Sequence, residues 1–180
     1  MLYYIHGYES SPDGEKGRLF QKALHAQAIR YRDCAPEQLV IGDCLERISQ
    51  AIKGDTDVVL IGSSLGGFLA AQTALKNHNV KKLVLLNPAI MPPETDLGTI
   101  PRLPRKMLED MIEPRLFTEK LAAQTFIVRG TEDEVVPDDW VLSFAQAQEA
   151  TMVLVADDHR LSGTLPQLPE MIASFLKKDC

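Results

Sequence analysis

Val58-Val-Leu-Ile-Gly-Ser-Ser-Leu-Gly-Gly67 joins a run of apolar, β-branched residues to a turn of small ones, and FLAAQTALKN (68–77) follows with an Ala-rich helical pattern. The apolar run predicts a buried strand over Asp57–Ile61, and the pattern after the glycines predicts a helix over Gly67–Asn77. Between them Gly62, Ser64 and Gly66 stand in the fixed positions of G-x-S-x-G. A strand that turns abruptly into a helix forces the central residue into strained backbone geometry, and the residues two positions away must lack bulk. Ser64 is therefore the expected nucleophile, its hydroxyl lifted above the sheet edge over a helix N-terminus. Ser63, the competing hydroxyl, lacks the two flanking glycines. A phosphate-cradling loop would need a Lys where G-x-x-x-x-G-K-[ST] places it, and the sequence has none there.

Outward from this turn, short apolar runs alternate with helical patterns. Strands are expected at Leu2–Ile5, Ala28–Tyr31, Lys82–Leu86, Phe126–Arg129 and Met152–Val155. Helices are expected at Arg18–Gln27, within 35–52, at Asp139–Gln148 and at Pro169–Leu176. The alternation predicts an α/β fold with a mostly parallel sheet covered by helices on both faces. At 180 residues and 45% hydrophobic content, the chain suits one core and a single domain, 1–180. Within it, 88–120 is a Pro-rich, lid-like insertion broken by Pro88, Pro92, Pro93, Pro101, Pro104 and Pro114, with room only for short helices such as Arg105–Ile112.

A formal net charge of −6 gives the surface no basis for nucleic acid or anionic membrane, which attract clustered Lys and Arg. Cys34, Cys44 and Cys180 are an odd number without metal-ligand spacing and point to a reducing compartment. The opening MLYYIHGY has no basic region or cleavage site, and no apolar run reaches the ~20 residues that cross a bilayer. These features predict a soluble cytoplasmic protein that needs no metal or organic cofactor.

A serine hydroxyl needs a base, and the base needs an orienting group. In the chain order expected for this elbow, an acid and then a His follow the Ser. Only His78 and His159 lie downstream of Ser64. His78 falls at the far end of the predicted helix, whereas His159 in ADDHRLSG follows the last predicted strand, on the side where Ser64 emerges. For the acid, VRGTEDEVVP offers Glu132, Asp133 and Glu134; Asp133 is preferred because the turn can present it inward while Val136 and Pro137 anchor the next segment. Asp157 and Asp158 are reserve candidates. An oxyanion hole would take the amides of Leu65 and of Tyr8, with Gly7 allowing the tight turn after the first strand and contributing to the substrate site. His6 is expected to order that loop by a side-chain hydrogen bond. Ile90, Met91, Ile100, Leu103, Met107 and Met111 are candidates for an apolar acyl or leaving-group site, or for ordinary core.

HGYESSPDG, GSSLGG, LLNPA, GTEDEVVP and DDHRL together resemble the small bacterial esterases of the YqiA type within the α/β-hydrolase superfamily, over nearly the whole chain. The resemblance implies a minimal form of that fold, lacking the first two strands of larger members. It also implies Ser64, Asp133 and His159 as nucleophile, acid and base, in agreement with their spacing and chain order, and activity on small carboxyl esters or acyl thioesters. An amidase, peptidase or lipase on the same residues, and a non-catalytic binding protein of this fold, are the competing readings.

Overall fold

The computed structural model describes residues 1–100 and 103–177. Pro101 of the Pro-rich segment and Cys180 lie outside the described residues. The strands β1 (Leu2–Ile5), β2 (Gln27–Ala28), β3 (Val58–Ser63), β4 (Val80–Leu86), β5 (Gln124–Gly130) and β6 (Thr151–Val155) form one sheet, every pair parallel, in the order β2-β1-β3-β4-β5-β6. Parallel neighbours require crossovers, which α1 (Glu15–Leu24), α2 (Ile41–Ala51), α3 (Leu65–Lys76), α6 (Asp138–Gln148) and the shorter α4 (Arg105–Asp110) and α5 (Arg115–Thr118) supply; α7 (Leu168–Leu176) closes the described chain.

The central strands bury both faces along most of their length, so their inner stretches are mainly apolar while successive side chains enter different cores. Tyr3, Ile5, Leu83, Leu85 and Ile127 point into a large cluster with Ile48, Phe68, Leu69 and Phe144. Tyr4, Val84, Leu86, Phe126 and Val128 point into a smaller one with Phe20, Leu168 and Ile172. Helices therefore cover both faces. The architecture is a mostly parallel six-stranded sheet between helical layers, a minimal α/β-hydrolase fold without the first strands.

From β1 the chain passes outward to β2, then returns through α2 to β3 on the other side of β1. Loops leaving the carboxyl ends of β1 and β3 consequently diverge, and such a divergence opens a crevice. His6–Tyr8 and Ser64 both leave the sheet there.

Several boundaries differ from expectation. The helix expected from Arg18 begins at Glu15, within the polar stretch SPDGEKG, because an acidic residue is favourable in a first turn. It ends where His25 turns left-handed, at φ 55°. The second strand is confined to Gln27–Ala28 and the backbone amide of Ile29; Arg30 and Tyr31 have left the ladder. In the Pro-rich segment a 3₁₀ turn at Leu97–Thr99 and α4 are joined by α5, which the prolines conceal in sequence. Met107, Leu108, Met111 and Leu116 tie this segment into the larger core. No helix among the described residues is long and apolar enough to cross a membrane.

Candidate active site

Ser64 sits between β3 and α3 at φ 53° and ψ −119°. A non-glycine residue there is strained by about 1–3 kcal/mol, and the surroundings must hold it. The Ser64 amide donates to the Leu86 carbonyl at 3.0 Å, and its own carbonyl accepts from Gly67 at 2.8 Å and Ala89 at 3.1 Å. The flanking glycines answer to close backbone approach. A Cβ on Gly62 would lie 2.3 Å from the Gly66 carbonyl oxygen, and one on Gly66 would lie 2.1 Å from that of Ile5.

Two loops meet over Ser64 Oγ. His159, on the loop after β6, brings Nε2 to 3.0 Å from Oγ. Its Nδ1 lies 2.8 Å from Oδ2 of Asp133, on the loop after β5. With the carboxylate accepting the Nδ1 proton, a neutral ring leaves its Nε2 lone pair facing the serine. Asp133 Oδ1 accepts the amides of Val135 at 2.8 Å and Val136 at 3.0 Å. Burial raises the Asp133 carboxyl, but the hydrogen bond from His159 and those two amides outweigh it and hold it below the ordinary range.

Glu132, Glu134 and His78 are exposed. Asp157 is turned to another use: its carboxylate accepts the amides of Asp158, Gly163 and Thr164 at 2.8, 3.2 and 2.6 Å, shaping the loop that carries His159. Burial works against its ionisation, yet the bonds with Thr164 and the other amides bring it down to about 2. Asp158 likewise binds Ser162 in the same loop.

The loop after β1 lies on Ser64, since a Cβ on Gly7 would come within 3.4 Å of Ser64 Cβ. The Tyr31 hydroxyl donates to the His6 carbonyl at 3.1 Å, and Arg32 Nη2 donates to the carbonyls of Tyr8 at 2.7 Å and Ser10 at 2.9 Å. With these three carbonyls engaged from behind, the loop's conformation is fixed beside Ser64. Leu65 begins α3 immediately after the serine. His6 itself is 1% exposed, stacks on Tyr31 at 4.3 Å and donates from Nδ1 to the Gly7 carbonyl at 2.8 Å. Burial pushes it down to about 4, so it is a neutral structural group.

Ile90, Met91 and Met107, candidates for the acyl site, are buried in the larger core with Met111 and present almost no surface in this conformation. Ile100 and Leu103 are only partly buried. Among the described residues no cluster of three or more His, Cys, Asp or Glu is placed to hold a metal ion.

Two supporting residues escaped the sequence reading. Asn87, fully buried at φ 42°, donates from Nδ2 to the carbonyls of Asp158 at 3.1 Å and His159 at 3.0 Å, and accepts the Gly130 amide at 2.8 Å. Arg129, 3% exposed, donates to Asp133 Oδ2, to Asp138 Oδ1 and to the Val136 carbonyl. Their signals were an Asn at a strand end before a proline, and a charge inside the apolar run TFIVRG.

The sequence profile of the Uncharacterised protein family (UPF0227) matches residues 1–177. No curated protein sequence matches the chain. Among solved structures, Est1E from Butyrivibrio proteoclasticus is similar with a TM-score of 0.79 at 22% identity, covering 97% of this chain and 86% of Est1E; Est1E has also been solved with ferulic acid bound. A candidate hydrolase of the α/β superfamily from Xanthomonas campestris pv. campestris is similar with a TM-score of 0.70 at 27% identity, covering 98% of this chain and 96% of that one. Mouse alpha/beta hydrolase domain-containing protein 10 gives 0.76 at 17% identity, covering 97% and 88%. The shared feature is the fold.

Proposed function

The chain belongs to the family UPF0227, and from the geometry of its own site we propose that it is a serine hydrolase of small carboxyl esters or acyl thioesters, close in kind to the YqiA-type esterases. The observation that carries this reading is the unbroken line from Ser64 Oγ through both ring nitrogens of His159 to Asp133, at 3.0 and 2.8 Å, on a strained elbow.

In the proposed mechanism Ser64 Oγ attacks the substrate carbonyl while His159 Nε2 takes its proton. The amides of Tyr8 and Leu65 hold the oxyanion, and Asp133 balances the imidazolium. His159 then gives that proton to the departing alcohol or thiol as the carbon–leaving-group bond breaks. Water, deprotonated by His159, attacks the acyl-enzyme; the acid leaves and Ser64 recovers its proton. The residues so employed are all present in this chain, and no step calls on a metal or cofactor.

Ile100 and Leu103, at the partly buried margin of the Pro-rich segment, are assigned to the lid-like cover of the acyl group. The ferulic acid bound to Est1E makes hydroxycinnamoyl esters a reasonable first class to try beside short acyl esters. A reducing, cytoplasmic setting is part of the same reading, and free Cys34 and Cys44 agree with it.

The test is turnover of a panel of acyl esters, thioesters and amides by wild type and Ser64→Ala, with labelling by a fluorophosphonate. Loss of both turnover and label in a folded Ser64→Ala variant is expected. Turnover that survives the substitution would remove Ser64 from the mechanism, and a folded wild type that neither turns over nor labels would favour a binding role.

A further inference from the structure

Asp133 does not face His159 alone. Arg129 Nη1 and His159 Nδ1 both donate to the same oxygen, Oδ2, so a guanidinium and an imidazole meet on one atom. The guanidinium has little freedom: Nε and Nη2 donate to Asp138 Oδ1 at 3.0 and 2.7 Å, and Nη2 also donates to the Val136 carbonyl at 2.7 Å. The Arg129 side chain is 4% exposed and that of Asp133 is fully buried. Burying a permanent cation inside a sheet is unfavourable unless it is fully bonded, and the gain at this place is control of the Asp133 carboxylate.

Resting on the serine-hydrolase reading, we propose that Arg129 is a positioning residue that holds the Asp133 carboxylate on His159 and, by its fixed charge, makes His159 a weaker base than an unshared aspartate would. The effect is electrostatic. Asp133 favours protonated His159, and a cation on the same carboxylate oxygen offsets part of that attraction in a poorly screened site. A weaker base is free, and so able to accept the serine proton, down to lower pH. Other charged groups stand around the pair, and Glu132 and Glu134, which flank Asp133 on its own loop, are exposed. Asp138 lies at the start of α6, 68% exposed at its side chain. Asp157, Asp158 and Arg160 lie in the loop of His159 itself, and Lys16 of α1 donates to the Arg160 carbonyl. Buried His6, on the loop after β1, is neutral.

The experiment follows the His159 imidazole by NMR titration in the full chain, alongside the pH profile of kcat/KM on the best ester of the panel. Arg129→Gln is expected to raise the pH at which the His159 imidazole loses its proton, to carry the acid limb of the profile up with it, and to lower kcat. Arg129→Lys should return the titration toward wild type. A folded Arg129→Gln variant with unchanged His159 titration would overturn the proposal and leave Arg129 a structural cation. If Arg129→Gln does not fold, Asp138→Asn carries the test with the opposite sign, because removing the anion beside the guanidinium should lower the His159 titration; no movement there also overturns it. In a Ser64→Ala background, where turnover should be lost, the change that Arg129→Gln makes in the His159 titration should persist, which separates a failure of this inference from a failure of the serine-hydrolase reading.

Discussion

Asn87 Nδ2 lies 3.0 Å from the carbonyl oxygen of His159, so the loop that carries the imidazole is fastened to the end of β4, two strands away from β6. The same side chain holds the Gly130 amide at the end of β5. One buried amide therefore sets the separation between the segments bearing His159 and Asp133.

Replacing it should be costly in both stability and rate. Asn87→Ala takes away the partner of the Gly130 amide and of the His159 carbonyl, a loss of about 1–3 kcal/mol for each buried group that water cannot reach, while the Asp158 carbonyl keeps the Leu161 amide. We expect a lower midpoint in urea and, in the folded fraction, a kcat reduced at least about tenfold as His159 loses its position. Full kcat in the folded variant would show that the loop holds itself.

The elbow should show strain as stability. Ser64→Gly removes the side chain from a positive φ, whereas Ser64→Ala keeps a Cβ there. Both should be inactive, and the glycine variant should be the more stable, by about 1 kcal/mol. Equal unfolding midpoints would mean that the turn is relaxed.

Gly66→Ala tests the approach of β1 to the elbow. Its methyl group would need the space of the Ile5 carbonyl, 2.1 Å away, and that neighbour is backbone at the end of β1, which cannot easily give way. A loss of more than about 2 kcal/mol is expected by chemical denaturation, with little activity remaining. Gly42, with nothing within 4 Å of an added Cβ, is the matched control, and Gly42→Ala should be neutral or stabilising.

Acid should weaken the fold through His6. Burial lowers its pKa from 6.5 to about 4, so between these values the unfolded chain binds a proton that the folded chain does not. Stability from this residue is full above pH 6.5 and falls as pH drops through that window, with no further loss below about 4. Urea unfolding of wild type and His6→Asn from pH 7.5 to 4 should show a steeper decline in wild type. Parallel curves would mean that His6 titrates normally in the fold.

The elbow was legible because its causes are local: a β-branched run, small residues at two-residue spacing and an Ala-rich continuation lie within Val58–Asn77. His159 was singled out by chain order, which left only His78 beside it, and Asp133 by the turn it occupies among three acids; the fold brings both side chains to Ser64. Arg129 and Asn87 were not, because their roles depend on partners that only the sheet brings near; Asn87 reaches His159 across 72 positions of sequence. Tyr31 left the expected second strand for the same reason, its ring being stacked on His6 from the loop after β1. The apolar residues of the Pro-rich segment carried no sign of direction in sequence, and Ile90, Met91 and Met107 face the core.

The pairing of Ser64 with His159 spans 95 positions, and the order of synthesis gives that span a temporal meaning. A ribosome finishes the serine and its elbow long before the histidine exists. Until β6 and the loop behind it have left the exit tunnel and docked, the nascent chain holds the Ser64 hydroxyl without the imidazole that faces it in the finished fold.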